Sequence, residues 1–342
     1  MMRSVNNTQP AVSAQPIYNR GVALITVMLI VALAAIIATQ MLARLQFQVQ
    51  RTTNISFNQQ AYWYAIGAES FAKRVLITSF EGEQETTHLG QMWAQGKTTF
   101  PVDFGQISGE IIDMQACLNL NAVRNEEQNP NDRTNKTPAR QALEELIIAL
   151  NIEGVGEFEA EYMADALNDW LDDDSAIVSA GGAEDNDYAS KEFPYLPANY
   201  FLASVNELRV IEHFTVPVIE ALKKHVCVIP NSNIHQINVN TLTTDNPELL
   251  QALLAISRND AEQILAARES EGFDNIEQFY KLPEVVKLKL TEEQKQQFVV
   301  DSEYFKLHAS ANFNNSYLQL NSILQVANNN QISVISRTIG RD

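Results

Sequence analysis

Between Val22 and Ala43 the chain carries no charged residue, and only Thr26, Thr39 and Gln40 are polar. At about 1.5 Å of rise per residue a helix of this length reaches about 33 Å, enough to cross the hydrocarbon of a bilayer. A secretory h-region needs only about 7–15 residues, and a soluble core helix would show a polar face. The run therefore predicts a membrane-spanning helix. The leader before it, Met1 to Arg20, holds Arg3 and Arg20 and no acidic residue. Positive charge keeps that end in the cytoplasm, so the remainder is expected beyond the inner membrane. The stretch IIATQMLAR after the run offers only poor A-x-A cleavage sites.

The helical pattern runs on past the apolar segment, to about Ser79. Its outer half presents Ala65, Ala68, Ala72 and Leu76 as an apolar stripe. Beyond it the polar stretch Glu81–Thr99 reads as irregular. FGQISGEIIDMQACLNLNA then reads as β over 107–120, with Phe104-Gly105 and Ser108-Gly109 as turn or bulge signals. NEEQNPNDRTNKTP is a loop. Helices are expected at Ala139–Leu150, Glu157–Trp170, from Ser204 (a Ser204-x-x-Glu207 capping box), Pro217–His225, and in PELLQALLAI and NDAEQILAARES. VCVIP and IHQINVNT look like strand, and the C-terminal DSEYFKLHASANFNNSYLQLNSILQVANNNQISVISRTIG alternates with period two, as three antiparallel strands do.

The expected organisation is a leader at 1–21, a membrane helix at 22–43 and its outer continuation at 44–80. A sheet is built from 100–123, 226–240 and 295–342, with helical inserts at 124–225 and 241–294. An internal echo supports the paired inserts. CLNLNAV and QINVNTL share Asn-x-Asn after an apolar residue, and each precedes two helices. The first turn, Gly154-Val155-Gly156, has the form of a helix-hairpin-helix loop whose N–H groups could hold a phosphate. It is ringed by Glu153, Glu157, Glu159 and Glu161, and the chain carries a net charge of −18. Nucleic acid is excluded as a partner on both grounds, and a tight structural turn is the preferred reading.

Two cysteines, Cys117 and Cys227, lie in no zinc-like spacing. Outside the cytoplasm they are expected to pair, two separate buried thiols being the alternative. A bond would close a loop of about 110 residues, worth about 4–5 kcal/mol in the chain-entropy treatment.

The stretch DWLDDDSAIVSAGGAEDNDYASKEFPYLPANY crowds Asp169, Asp172, Asp173, Asp174, Glu184, Asp185 and Asp187 among five aromatics. Such density would suit a solvated disordered loop. The aromatics instead favour order, and order needs a hard cation with six to eight oxygen ligands, so Ca²⁺ is expected and Mg²⁺ is disfavoured. The EF-hand spacing is absent. Without a G-x-S-x-G or a metalloprotease motif, no enzyme is expected.

Gly21 before an uncharged helix, after a short basic leader, resembles the class III signal of type IV pilins and type II secretion pseudopilins. ACLNLN at 116–121, DWLDDDS, GGAEDNDY, SVNELR and INVNTL resemble the K-type minor pseudopilins of type II secretion. That resemblance implies an α+β, pilin-like fold. A long N-terminal helix packs on an antiparallel sheet, and a large all-α domain of SAM-like, helix-hairpin-helix-like form is inserted in it. It implies a prepilin peptidase cut after Gly21, with Val22 as the mature N-terminus (in place of the usual Phe or Met) and N-methylation there. Thr26 then stands where most of these proteins have Glu, and the missing acid implies a place at the filament tip. Further implications are I- and J-type minor pseudopilins as partners, with other pseudopilins and the inner-membrane assembly platform. Two structural Ca²⁺ ions are implied, with Asp172, Asp174, Glu184 and Asp185 as leading ligands and Asp173 and Asp187 behind them. The alternative function is a minor pilin of a type IV pilus.

Overall fold

The structure, a computed structural model, describes residues 20–81, 86–124, 136–268, 271–327 and 331–340. The leader therefore lies outside the described residues except for its end at Arg20 and Gly21. Contacts divide the chain into two compact units between Ser56 and Phe57. Helix α1 covers Arg20–Phe80, as the unbroken helical pattern predicts. Its apolar segment is exposed on every side from Gly21 to Arg51, so that segment has no protein core to bury it.

In chain order, α1 is followed by β1 (Thr98–Val102), β2 (Gly105–Asp113), β3 (Leu118–Asn119), α2 (Pro138–Ala149), α3 (Glu157–Leu171), α4 (Asp185–Ala189) and α5 (Val216–Leu222). Then come β4 (Val226–Cys227), β5 (Ile237–Asn238), α6 (Glu248–Leu254), α7 (Arg258–Ala266), α8 (Ile276–Tyr280), α9 (Pro283–Val286), α10 (Glu292–Gln296) and β6 (Phe298–Val299). Three long strands close the fold: β7 (Tyr304–Phe313), β8 (Ser316–Val326) and β9 (Ile332–Ile339).

The main sheet is antiparallel with order β1-β2-β7-β8-β9. Alternation along β7 sends Phe305, Leu307, Ala309 and Ala311 to one face, where they meet Ala65, Ala72 and Leu76 of α1 and Leu320 and Leu324 of β8. Each fully buried Leu or Phe there contributes about 1.5–3 kcal/mol. A polar tie fixes the register of helix on sheet. Buried Glu69 accepts two hydrogen bonds from Arg337, at 2.7 and 2.8 Å, and one from Ser322 at 2.7 Å. Burial pushes its carboxyl up, but these bonds outweigh burial and leave it below the usual range.

Several expectations need correction. The strand expected over 107–120 ends at Asp113, and β3 belongs to a separate two-stranded sheet with β4. Asp113 causes the break. Its carboxylate is buried and accepts from Gln115 N–H (2.8 Å), Thr241 Oγ1 (2.5 Å) and Ser302 Oγ (2.6 Å). Three passages of chain between sheet and helices are thereby tied to the end of β2. Residues 226–240, expected in the main sheet, supply β4 to β3 and β5 to β6 in parallel two-residue pairs instead. Ser108-Gly109 is mid-strand, opposite Ser310 and Ala309. The sheet segment expected from 100 takes in only part of β1, because TTFPV shows no apolar alternation and carries Pro101, which an edge strand tolerates. Phe104-Gly105 does turn the chain, with Phe104 at φ 61°. A Cβ on Gly105 would lie 1.8 Å from the Asn312 carbonyl oxygen, so only glycine fits there.

The helical residues share one hydrophobic core running from Leu118 to Phe298, with α2 packed on both α3 and α6. The echoed Asn-x-Asn motifs explain how its two halves close. Asn121 accepts from the Leu202 N–H at 2.8 Å and donates to the Leu202 carbonyl at 3.1 Å. Asn240 treats Phe273 the same way, at 2.7 and 3.0 Å. Each half thus runs from a short strand through a helix pair to a clamped backbone, then through shorter helices to a parallel closing strand.

Candidate functional site

Two regions bear on function: the start of α1 and the acidic loop after α3. Along α1, a Cβ on Gly21 would meet nothing within 4 Å. Val22 is exposed. Thr26 donates its hydroxyl hydrogen to the Ala23 carbonyl at 2.9 Å, inside its own helix. The helix is long and apolar enough to cross a membrane.

Cys117 and Cys227 form a disulfide with Cα atoms 5.8 Å apart. It lies beside the β3–β4 pair, where Asn119 faces Cys227, and so bolts the first helical half shut at its base.

The acidic loop is built from the end of α3. Asp165, Asp169 and Asp172 follow one another at helical spacings of four and three, so they lie along one face. Asp165 is neutralised by Arg140 and also accepts from Ser179. Asp169 is fully buried and accepts from the Val178 N–H at 3.2 Å. A Cβ on Gly182 would lie 2.1 Å from the Asp169 carboxylate, which is why the loop has glycine where it passes that acid. Asp172 ends the helix and receives Asn168 Nδ2 at 3.3 Å. Asp174 accepts from Ala176 N–H at 2.7 Å, and its main-chain carbonyl accepts from Asn199 Nδ2 at 3.2 Å.

Oxygen atoms of Asp172, Asp174 and Glu184 all lie within 4.8 Å of one another. Glu184 is 3% exposed, and neither of its carboxylate oxygens has a hydrogen-bond partner. Burial, and then repulsion from Asp174, raises Asp172 to about 6. Burial, and then repulsion from Asp172, raises Glu184 to about 7 and Asp169 to about 8. A buried carboxylate without donors is costly to hold in a fold unless a charge meets it. Three converging hard oxygens, one of them orphaned on both atoms, suit a hard divalent cation.

Of the six residues expected as ligands, these three converge. Asp173 instead turns its exposed carboxylate toward Arg124, 3.9 Å away. Asp187 accepts from the Glu184 N–H at 3.0 Å, which caps α4. Asp185 opens the same short helix, outside the cluster. The aromatics also separate. Trp170 and Tyr188 are buried and packed edge to face at 5.2 Å, while Phe193 and Tyr200 are exposed. Sequence reasoning passed over Asn199, whose side-chain oxygen is buried without a partner. Its signal was faint: a lone Asn near the end of the loop, held at φ 45°. At the hairpin turn, Glu159 accepts from the Gly156 N–H at 2.9 Å, so the chain's own carboxylate fills the place a phosphate would take.

A long apolar N-terminal helix, an α1 face packed on an antiparallel sheet, and a large helical insertion define a pilin-like subunit with a membrane-type stem. The sequence matches the family model "Type II secretion system (T2SS), protein K" in two parts, residues 116–231 and 237–301. It is 36% identical over 258 residues to the type II secretion system protein K of Aeromonas hydrophila, covering 74% of this chain and 77% of that protein. It is 34% identical to that of Klebsiella pneumoniae, covering 90% of this chain and 92% of that protein. A chain of the crystal structure of the GspK-GspI-GspJ complex from the enterotoxigenic Escherichia coli Type 2 Secretion System superposes with a TM-score of 0.76 at 32% identity. The match covers 85% of this chain and all of that one. The chain belongs to the type II secretion system protein K family, the minor pseudopilins of that name.

Proposed function

We propose that this subunit caps the tip of the periplasmic pseudopilus and helps initiate it, as a structural component and not an enzyme. Position 26 carries the reading. Counted from a cut after Gly21, Thr26 is the fifth residue, and it brings no charge into the bilayer. A lone carboxylate in an apolar helix is costly to insert, by up to about 2.5–3.5 kcal/mol at the membrane centre on insertion scales and by less toward the edge where residue 26 lies. Most pilin-like subunits carry that acid and pair it with the amine of a neighbour. A subunit with nothing stacked above it needs no such pair, and the Thr26 hydroxyl is already satisfied by Ala23. Partners of the I and J type follow from the complex that contains the similar chain, with α1 as the natural contact. The same reading places the stem in the inner membrane and the rest in the periplasm, with prepilin peptidase, the other pseudopilins and the assembly platform as further partners. The matches to secretion proteins speak against a type IV minor pilin.

Gold labelling of assembled pseudopili tests the tip assignment. Label should sit at one end, and regular spacing along the shaft would overturn it. Replacing Gly21 with Leu should leave an uncut precursor and block secretion, and normal processing would remove the cleavage and N-methylation reading at Val22.

A structural Ca²⁺ at Asp172, Asp174 and Glu184 belongs to the same proposal. When bound it would supply two positive charges to a buried, repelling triad. The family resemblance implies two ions, and among the described residues one carboxylate group of this kind is present.

A further inference from the structure

The triad leaves most of a calcium coordination sphere unassigned, since three carboxylates fall short of six to eight oxygens unless several bind through both atoms. Asn199 approaches it from the far end of the loop. Its Nδ2 donates to the main-chain carbonyl of Asp174 at 3.2 Å, which places the amide directly beside a triad member. That bond uses the nitrogen side only. The other end, Oδ1, is shielded from solvent and accepts from nothing. A buried amide oxygen without a donor is rare and costly to a fold. It shares this condition with both oxygens of Glu184. Asn199 also holds a left-handed backbone, φ 45°, a conformation Asn adopts more readily than most residues.

We propose that Asn199 Oδ1 is a neutral ligand to the cation held by Asp172, Asp174 and Glu184, so that cation binding locks residue 199 onto residue 174 and closes the loop. The inference rests on the calcium reading above. Its chemistry is that of a carbonyl oxygen donor. It adds coordination number without adding negative charge, which favours the larger Ca²⁺ over Mg²⁺. It also explains how one ion could order a segment reaching from the end of α3 to the residue just before the clamped Leu202 region. Two ends of the loop would be ligands, and the hydrogen bond from Nδ2 would orient the amide so that its oxygen faces the ion.

The test uses the full-length chain in detergent, with Ca²⁺ titrations and with Tb³⁺ as a luminescent stand-in sensitised by Trp170. Luminescence lifetimes in H₂O and D₂O count the waters on the bound ion. Asn199→Gly keeps the left-handed backbone and deletes the ligand. It should weaken Ca²⁺ binding by about tenfold or more and add one water to bound Tb³⁺. Asn199→Asp keeps an oxygen but loses the donor to Asp174. If Oδ1 is a ligand, this second variant should keep the native hydration number and bind Ca²⁺ more tightly than Asn199→Gly, short of native affinity because the orienting bond is gone. Unchanged affinity and hydration in Asn199→Gly would overturn the inference, and so would an Asn199→Asp variant matching Asn199→Gly in both affinity and hydration number, which would reduce Asn199 to a hydrogen-bond donor. Failure of the calcium reading looks different: the unmodified chain would bind neither ion, or Glu184→Gln would leave binding unchanged.

Discussion

The two helical halves are built to one plan and differ most in the path from the helix pair to the clamp. Each opens with an apolar residue and Asn-x-Asn, and in each the second Asn grips both backbone groups of a distant residue. Each closes with a two-residue parallel strand pair. In the second half the chain passes from α7 to the clamped Phe273 through the short segment 267–272, where Gly272 at φ 77° leaves room for Asn240. In the first half the corresponding path is 172–201 and carries the acidic cluster. The clamp recurs in both halves, whereas among the described residues the acidic cluster is found in the first half alone, so the candidate metal centre is an addition to a shared plan.

The comparison breaks most sharply at the clamps. Asn121→Ala and Asn240→Ala each orphan a buried N–H and C=O, at about 1–3 kcal/mol per group. Both should lower the melting temperature by a similar amount, and Asn121→Ala somewhat more because Asn121 also donates to the Ile229 carbonyl at 2.9 Å. A near-neutral result for either would separate the two halves. Next in size, chelation should cost the full-length protein about 2.7 kcal/mol relative to Ca²⁺ at a hundred times its Kd. Hydrogen exchange should speed up across 172–200 and stay unchanged across 258–273. Equal loosening of both halves would contradict the picture of an added centre.

The same centre also sets the pH dependence of the metal-free protein. Burial, and then mutual repulsion, lifts Asp169 to about 8, Glu184 to about 7 and Asp172 to about 6, from ordinary values of 3.8 for the aspartates and 4.5 for Glu184. Between about pH 4 and pH 8 the folded chain thus holds protons that the unfolded chain releases. Stability contributed by these groups falls as pH rises through that window. Thermal melts in chelator should show the decline, and Ca²⁺ should flatten it. Glu184→Gln should reduce the slope, and in chelator it should be no less stable than the unmodified chain. Smallest is Glu69, whose depressed carboxyl contributes stability that is lost as pH falls through its folded value. Glu69→Gln should destabilise the helix-on-sheet contact modestly, because Arg337 is half exposed and water can replace its partner.

Much of this was legible in the residues because it rests on local pattern. The apolar run, the alternation of the last three strands and the helix pairs each announce themselves through a period. The disulfide was expected from compartment and count, with free thiols left open. The sheet was harder. TTFPV lies on an edge with both faces exposed, so no alternation marks it. The end of β2 is set by hydroxyls from Thr241 and Ser302, more than a hundred residues away. The acidic loop was recognised as a cluster, yet its members could not be sorted, since neighbours such as Asp172 and Asp173 point to different environments.

Charge pattern and hydrophobic period, both properties of adjacent residues, were enough to mark out a long apolar stem, a mixed helix-and-sheet body and a crowded acidic loop. Tertiary structure alone decided which three acids converge, that Asn121 and Asn240 do the same work, and that 226–240 leaves the main sheet. Those outcomes depend on burial and on partners brought from far along the chain, and neither has a local signature.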